Sequence, residues 1–503
     1  MSTREDEGVA AALDQEQPGD LLGTPEAGPA VIRGGALRSG GYILGIGLSV
    51  ASAPLIIRHL GVVDYGRYLT VISIVTIVAG VTEAGLTSIG VRELALVDRS
   101  ERPRIIANLM GMRLAITLAG VAIAVAFTLL AGYVPAMVIG TVVAGGGLVV
   151  SVVQTTYAVP LTADLRLGWV ALLELIKQLV TVVTIVALVL VGAALLPFFV
   201  TLLVAGLAAL AVNAVLARRD IAWLPSADRR QWWHLVRDAL PFAAATAVGI
   251  VYFRVTIVLL GLVSDDRQVG YFSASFRIVE VVAGIPWLLV TSAFPVLVRA
   301  AHEDTARFRY AVARLSQTTA LLGVWVAVCL VLGAPFAIEV IAGASFDPST
   351  PVLRIQGVAV AATFLLSTWG FVLLSLRRHR ALLVANVIAL AVACGLTLGL
   401  GSGPLGARGA AIATVGAEIA LALAYAVTLF GSRSDLRFPP RFVVPVTIGA
   451  VLSLTPAIVF GLHPVVAVIV GTVVYFAVLG VGGAIPDELR DEAVKRLPRH
   501  RDA

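Results

Sequence analysis

The sequence predicts an all-α polytopic membrane protein of about fourteen transmembrane helices. Three observations carry that expectation. Apolar residues make up 59% of the 503-residue chain and charged residues only 14%, where an ordinary soluble domain carries about 25% charged residues. Apolar stretches of spanning length recur from Leu37 to Ala484 with short polar breaks between them, and a span needs about 20 mostly apolar residues. These runs also lack the polar face that an amphipathic helix of a soluble protein must show.

Residues 1–35 are polar and acidic, with Gly and Pro and no apolar period, and predict a disordered cytoplasmic tail with no signal peptide. Spans are expected over 37–57, 69–90, 112–131, 136–159, 169–191, 195–216, 240–262, 271–297, 315–341, 353–375, 381–400, 406–430, 442–461 and 464–484. Pro135, Pro197 and Pro464 sit at or near span starts, where the missing N–H costs little. The expected organisation is a six-helix bundle over 36–218, a cytoplasmic linker over 219–239 and a second six-helix bundle over 240–431. Two additional helices over 432–485 and a cytoplasmic tail over 486–503 complete it.

Arginine placement orients the chain. With the N-terminus inside, the cytoplasmic turns hold Arg92, Arg99, Arg102, Arg104, Arg166, Arg218, Arg219, Arg229, Arg230 and Arg237 in the first half of the chain. The same side carries Arg299, Arg307, Arg309, Arg314, Arg377, Arg378, Arg380, Arg433, Arg437 and Arg441 in the second half. Only Arg58, Arg67, Arg267 and Arg408 fall in outer turns. This is the bias of the positive-inside rule, and it predicts a multi-pass protein of the cell membrane with both termini in the cytoplasm. The net charge of +6 is explained by these loops and calls for no nucleic-acid partner. Cys329 and Cys394 both lie within apolar runs and are expected to be inert packing residues.

The chain repeats itself. Leu60-Gly61 is followed by Gly66-Arg67-Tyr68 and then by Ile77-Val78-Ala79-Gly80. Leu260-Gly261 is followed by Gly270-Tyr271 and then by Val281-Val282-Ala283-Gly284, with the same spacing between the second and third glycines. Six helices separate the two units, so both halves enter the membrane in one orientation. Parallel repeats of this kind are common in secondary transporters.

At these residues the sequence resembles the polysaccharide, O-antigen flippase-like branch of the multidrug/oligosaccharidyl-lipid/polysaccharide exporter superfamily. The resemblance rests on Pro54-Leu-Ile-Ile-Arg58-His-Leu-Gly61…Asp64-Tyr-Gly66-Arg-Tyr68 and on its counterpart Leu260-Gly261…Val269-Gly270-Tyr271-Phe-Ser-Ala-Ser-Phe-Arg277. A third match is Gly403-Pro-Leu-Gly406-Ala-Arg-Gly409-Ala-Ala-Ile-Ala-Thr414…Glu418. Together the matches cover about residues 36–430. The resemblance implies a transporter, not an enzyme. It would flip a polyprenyl-pyrophosphate-linked oligosaccharide to the outer leaflet for cell-surface polysaccharide or lipopolysaccharide synthesis. No cofactor is implied; the partners are the lipid-linked glycan, membrane lipids, and a polysaccharide polymerase or glycosyltransferases of the same pathway.

Several motifs lose to plainer accounts. Gly401-x-Gly403-x-x-Gly406 matches a dinucleotide fingerprint on paper but follows an apolar helix in a short outer turn, so a hairpin is expected. Neither lysine, Lys177 or Lys495, sits in a phosphate-loop context, which removes that route to ATP. The histidines show no zinc spacing.

Charges within or near the apolar runs carry more information, because a charge at the bilayer centre costs several kcal/mol unless it faces a cavity or a partner. The candidates are Arg58, Glu83, Arg113, Glu174, Lys177, Arg254, Arg277, Glu280, Glu339 and Glu418. Arg113, Glu174, Lys177 and Glu339 are expected to snorkel to the interface. Arg277 and Glu280, three apart, predict a local ion pair or a cavity role.

In the family, the first two helices of each half line a central cavity. That implies a cavity between spans one, two, seven and eight, with Arg254, Arg277 and Arg58 as the pyrophosphate contacts. Arginine offers planar donor forks to such oxygens. Glu83 and Glu280 would balance the arginines or carry a coupling proton. Two alternatives remain open. One is a cation-coupled multidrug antiporter of the same superfamily. The other, of a different class, is a membrane glycosyltransferase or a scaffold of the synthesis complex; for the enzyme the only acidic pair in an outer turn is Asp265-Asp266.

Overall fold

The computed structural model describes residues 27–83, 85–98, 100–216, 225–431 and 440–484. Among these residues there is no strand. The first helix, α1, runs over Ala27–Glu83 but is broken at Gly61, where φ is 68° and ψ is −176°. A straight helix of its 57 residues would be about 85 Å long, nearly three times the roughly 30 Å hydrocarbon core. It is therefore two spans folded at Gly61, at a φ that a residue with a Cβ adopts only under strain. Short α2 (Leu86–Ala95) follows, then α3 (Arg102–Leu130), α4 (Pro135–Tyr157), α5 (Val159–Ala163), α6 (Leu167–Leu190), α7 (Leu195–Phe198) and α8 (Val200–Leu216).

The second half comprises α9 (Arg229–Val263), α10 (Asp266–Glu303), α11 (Thr305–Ile341), α12 (Ser349–Ser375), α13 (His379–Gly401) and α14 (Gly406–Phe430). The chain then adds α15 (Pro440–Phe460) and α16 (Pro464–Val481). Among the described residues thirteen helical runs are long and apolar enough to cross a bilayer, and the first of them is the broken α1. With that run counted as two spans, the expected fourteen are accounted for. The prolines Pro54, Pro286, Pro295 and Pro335 lie inside helices, which membrane helices tolerate because neighbouring groups can satisfy the freed carbonyls.

Two expected boundaries move. Residues 27–35 of the expected tail are helical, and residues 229–239 of the expected linker are the start of α9. Helix propagation is cheap once a span has nucleated, so helices run past the apolar stretch that marks them in sequence. The remainder of the expected N-terminal tail, residues 217–224 of the linker region, and the C-terminal tail lie outside the described residues. What is described of the linker docks on α3. Buried Asn108 accepts from Asp228 N at 3.0 Å and Trp232 Nε1 at 2.6 Å, and Ser226 N donates to Ala107 O at 2.9 Å.

The apolar core is distributed unevenly along the helices. One cluster joins the two halves and contains Ile57, Tyr65 and Phe198 from the first with Phe272, Val269 and Ala410 from the second. All of these residues lie toward the ends that the arginine bias assigns outward. At the opposite ends the halves keep separate cores, one around Ile106, Leu94 and Val159 and one around Phe308, Trp369 and Leu421. The halves thus share a seal at these ends and part toward the opposite ones. Helices α15 and α16 stand against α11, where Tyr475 Oη donates to Leu321 O at 3.0 Å and Trp325 Nε1 to Thr472 Oγ1 at 3.1 Å.

Candidate functional site: a central cavity below an outer seal

The repeated glycines build the seal. A Cβ placed on Gly66 would stand 2.6 Å from Asp266 O and 2.7 Å from Gly270 N. The backbones of the two repeat units therefore cross in contact, which only residues without side chains permit. Around this crossing Arg67 Nε donates to Asp266 Oδ2 at 2.7 Å and Arg67 Nη1 to Asp64 Oδ1 at 3.2 Å. Asp265 caps α10 by accepting from Gln268 N at 2.8 Å, and Gln268 Oε1 accepts from Ala407 N at 3.0 Å. The Asp265-Asp266 pair is thus engaged in a helix cap and a bridge between halves. Gly406, with φ of 46°, forms the expected α13–α14 turn.

Arg58 belongs to this seal and not to the cavity. Its Nη2 donates to Glu339 O at 2.9 Å and Val340 O at 2.6 Å in the last turn of α11, where Glu339 O also accepts from Gly343 N at 3.0 Å. The positive charge also meets the negative end of the helix dipole. Arg58, expected to meet a substrate head group, is placed by this geometry in the seal.

Below the seal lies a central cavity of about 800 Å³. Gly66 to Glu83 is 17 residues along one helical arm, or about 25 Å, so the cavity lies in the halves of the helices away from the seal. Its charged or acidic walls are Glu83 from α1, Arg254 from α9 and Glu418 from α14, with Thr363, Asn386 and Trp287 from α12, α13 and α10. The expected lining by spans one, two, seven and eight holds for two, seven and eight only. The first arm of α1 instead lines a second, lateral groove of about 700 Å³, with Gly45 and Ser49, facing Glu174 and Gln178 of α6 and Thr291 of α10. Trp287 borders both spaces.

The ion pairs fix which charges are spoken for. Glu83 pairs with Arg113, and its carboxylate also accepts from Thr87. Arg113 is 1% exposed and donates to Thr155 Oγ1 at 3.1 Å. The expectation that Arg113 snorkels is therefore wrong: α3 starts at Arg102, so Arg113 lies three turns inside the helix and not at its end. Glu280 pairs with Arg254 through one oxygen and with Arg277 Nη1 at 2.8 Å through the other. Arg277 also donates to the Ser49 hydroxyl across the halves. The Arg254 guanidinium lies 5.4 Å from the Phe276 ring centroid and 5.9 Å from that of Phe253, and its Nη1 has no partner. The structure thus brings Arg254, Arg277 and Glu280 together, places Glu83 across the cavity, and leaves Arg58 outside.

Glu418 stands among the candidate charges of the sequence, but no role at the site was expected of it. It is 7% exposed, lines the cavity, and has no arginine partner; its Oε2 has no hydrogen-bond partner at all. Its presence inside a helix named it as a candidate, but nothing in the sequence shows that every other cavity carboxylate is paired.

The fold is shared with solved transporters. The chain superposes on "Lipid II flippase MurJ, inward closed conformation" with a TM-score of 0.72 at 14% identity, over 89% of this chain and 98% of that one. An inward-facing multidrug resistance MATE family transporter of the MOP superfamily matches with a TM-score of 0.56 at 14% identity, over 77% and 94%. The eukaryotic MATE transporter AtDTX14 matches at 0.55 and 14%, over 81% and 99%. No curated protein matches the chain. The family model "Polysaccharide biosynthesis protein" matches residues 31–301, which is more than half of the chain. The chain therefore belongs to the polysaccharide biosynthesis protein family and has the fold of transporters of the multidrug/oligosaccharidyl-lipid/polysaccharide superfamily.

Proposed function

We propose that this protein moves a polyprenyl-pyrophosphate-linked oligosaccharide from the inner to the outer leaflet by alternating access. Its two six-helix halves rock about the outer seal. The observation that carries the proposal is the placement of Arg254. It stands at the wall of a central cavity large enough for sugars, and retains a donor nitrogen without a partner. A glycan is too polar to cross hydrocarbon and must pass through a hydrated space. The polyprenyl chain need not, and the lateral groove between α1, α6 and α10 lets it remain on the lipid side while the head group enters past Trp287. The pyrophosphate sits at the junction of the two. It competes with Glu280 for the forks of Arg254 and Arg277, exchanging one charge-assisted pair for another.

The family supports polysaccharide synthesis as the setting, and the arginine bias supports the cell membrane with both termini in the cytoplasm as the location. The antiporter alternative is less well supported, because a cationic drug would meet Arg254 at the cavity wall. Native mass spectrometry of the purified full chain tests the proposal. Polyprenyl pyrophosphate carrying a short glycan should remain bound and compete with free polyprenyl pyrophosphate. Equal retention of a cationic dye and no retention of the pyrophosphate lipid would favour the antiporter.

A further inference from the structure

Among the described residues, the carboxylates that line the cavity or pair with its arginine all have an arginine except one. Glu83 has Arg113, and Glu280 has Arg254 and Arg277. Glu418 alone faces the cavity unpaired, although it is 7% exposed. Its carboxyl adjoins the hydroxyls of Tyr252 and Thr363, and Tyr425 and Asn386 complete the local wall. An ionised carboxylate buried without a partner costs far more than a neutral one. A fold that keeps such a group at a cavity wall has a reason to alternate its charge.

We propose that Glu418 is the proton-binding site of the central cavity, in place of Glu83 and Glu280. The titratable or charged groups that face it are Tyr252 and Arg254 on α9, Tyr425 on its own helix, and Glu83 across the cavity. From α10 it meets Phe272, Phe276 and Val279, which are apolar; α12 and α13 offer the neutral Thr363 and Asn386. Among the described residues that line the cavity Arg254 is the only cation, and it is held by Glu280. When water fills the cavity, Glu418 is ionised at little cost. When the empty cavity closes and dries, the carboxylate must take a proton. A bound glycan relieves the same cost by donating hydroxyl hydrogens to the carboxylate. Proton and glycan are therefore alternative occupants, and the empty carrier returns only with the proton. No bond other than O–H forms or breaks. This exchange rests on the transport proposal; the protonation itself does not.

The test needs no substrate. Infrared difference spectra of the full chain in lipid nanodiscs are taken from about pH 5 to about pH 9, reading the C=O band of a protonated carboxyl. A band that fades as pH rises, and that is absent in Glu418→Gln of unchanged thermal unfolding, is expected. Tyr252→Phe should keep the band but move it to higher frequency, because the hydroxyl that adjoins the carboxyl is gone. If Glu418→Gln is recovered only as aggregate, Tyr252→Phe decides, and an unmoved band overturns the assignment. So does a band identical in wild type and Glu418→Gln, or a response to sodium ions with none to pH. Failure of glycan transport with this titration intact would instead count against the substrate assignment.

Discussion

Gly66 and Gly270 lie back to back, at the same position in the two repeat units, and there the backbones of the two halves touch. The relationship explains why the repeat conserves a glycine spacing within one chain. The glycine is the part of the unit that must accept its counterpart. A side chain at Gly66 would have to displace main-chain atoms of α10, and overpacking of this kind costs about 1–3 kcal/mol or more. Gly66→Leu should therefore hold the outer ends apart. In a protein carrying Ser367→Cys in the cavity wall, a membrane-impermeant thiol reagent applied from the outer side should label Gly66→Leu several-fold faster than the glycine parent. Equal rates would show that the outer ends do not close the cavity.

Arg58 should behave as a structural residue. It ties the first half to the α11 end through main-chain oxygens, a charge-to-helix-end contact of about 0.3–1 kcal/mol at an exposed site. Arg58→Ala is expected to lower the thermal midpoint while leaving transport per folded molecule within about twofold, a difference of about 0.4 kcal/mol in barrier. A folded, stable Arg58→Ala that cannot transport would return this residue to the substrate site.

The Glu83–Arg113 pair should show strong coupling. Arg113 is 1% exposed, so removing Glu83 leaves a buried charge alone, whereas replacing both removes the need for a partner. Glu83→Gln should destabilise by up to about 3 kcal/mol, less than a wholly buried pair because the Glu83 side chain is 43% exposed. Adding Arg113→Met should recover most of that loss. Additive unfolding midpoints across the double-mutant cycle would contradict the pairing.

The tyrosine that docks the last helix offers a smaller effect. Tyr475 is fully buried and its hydroxyl donates to Leu321 O at 3.0 Å. Tyr475→Phe leaves that carbonyl without its side-chain donor and should cost about 1 kcal/mol. Thermal unfolding of the variant reads this, and an unchanged midpoint would mean that α16 is held by its apolar contacts alone.

The spans were legible because each apolar run must satisfy its own backbone inside a bilayer, which a helix does without help from the rest of the chain. Gly61, Gly66 and Gly270 were legible for the related reason that a turn and a backbone crossing exclude side chains. The charges were not. Arg58 finds its partners 281 and 282 residues away, and Arg113 finds Glu83 30 residues back. Whether a charge in a span faces a cavity, a carbonyl or another charge depends on helix rotation and packing, which apolar periodicity does not encode when a helix is apolar on every side. Glu418 shows this most plainly. Its identity stands in the sequence, but its isolation is a property of every other pair in the site.

The central claim is that Arg254 receives the pyrophosphate of a lipid-linked glycan. Flux of a fluorescent polyprenyl-pyrophosphoryl oligosaccharide across proteoliposomes containing the purified chain tests it most directly, with wild type compared against Arg254→Ala and Arg254→Lys at matched insertion. The account predicts export by wild type, loss of at least about tenfold in Arg254→Ala, corresponding to about 1.4 kcal/mol, and partial rescue by lysine, which restores the charge without the fork. Export by Arg254→Ala at the wild-type rate would contradict it, and Arg254 would then be no more than the structural partner of Glu280.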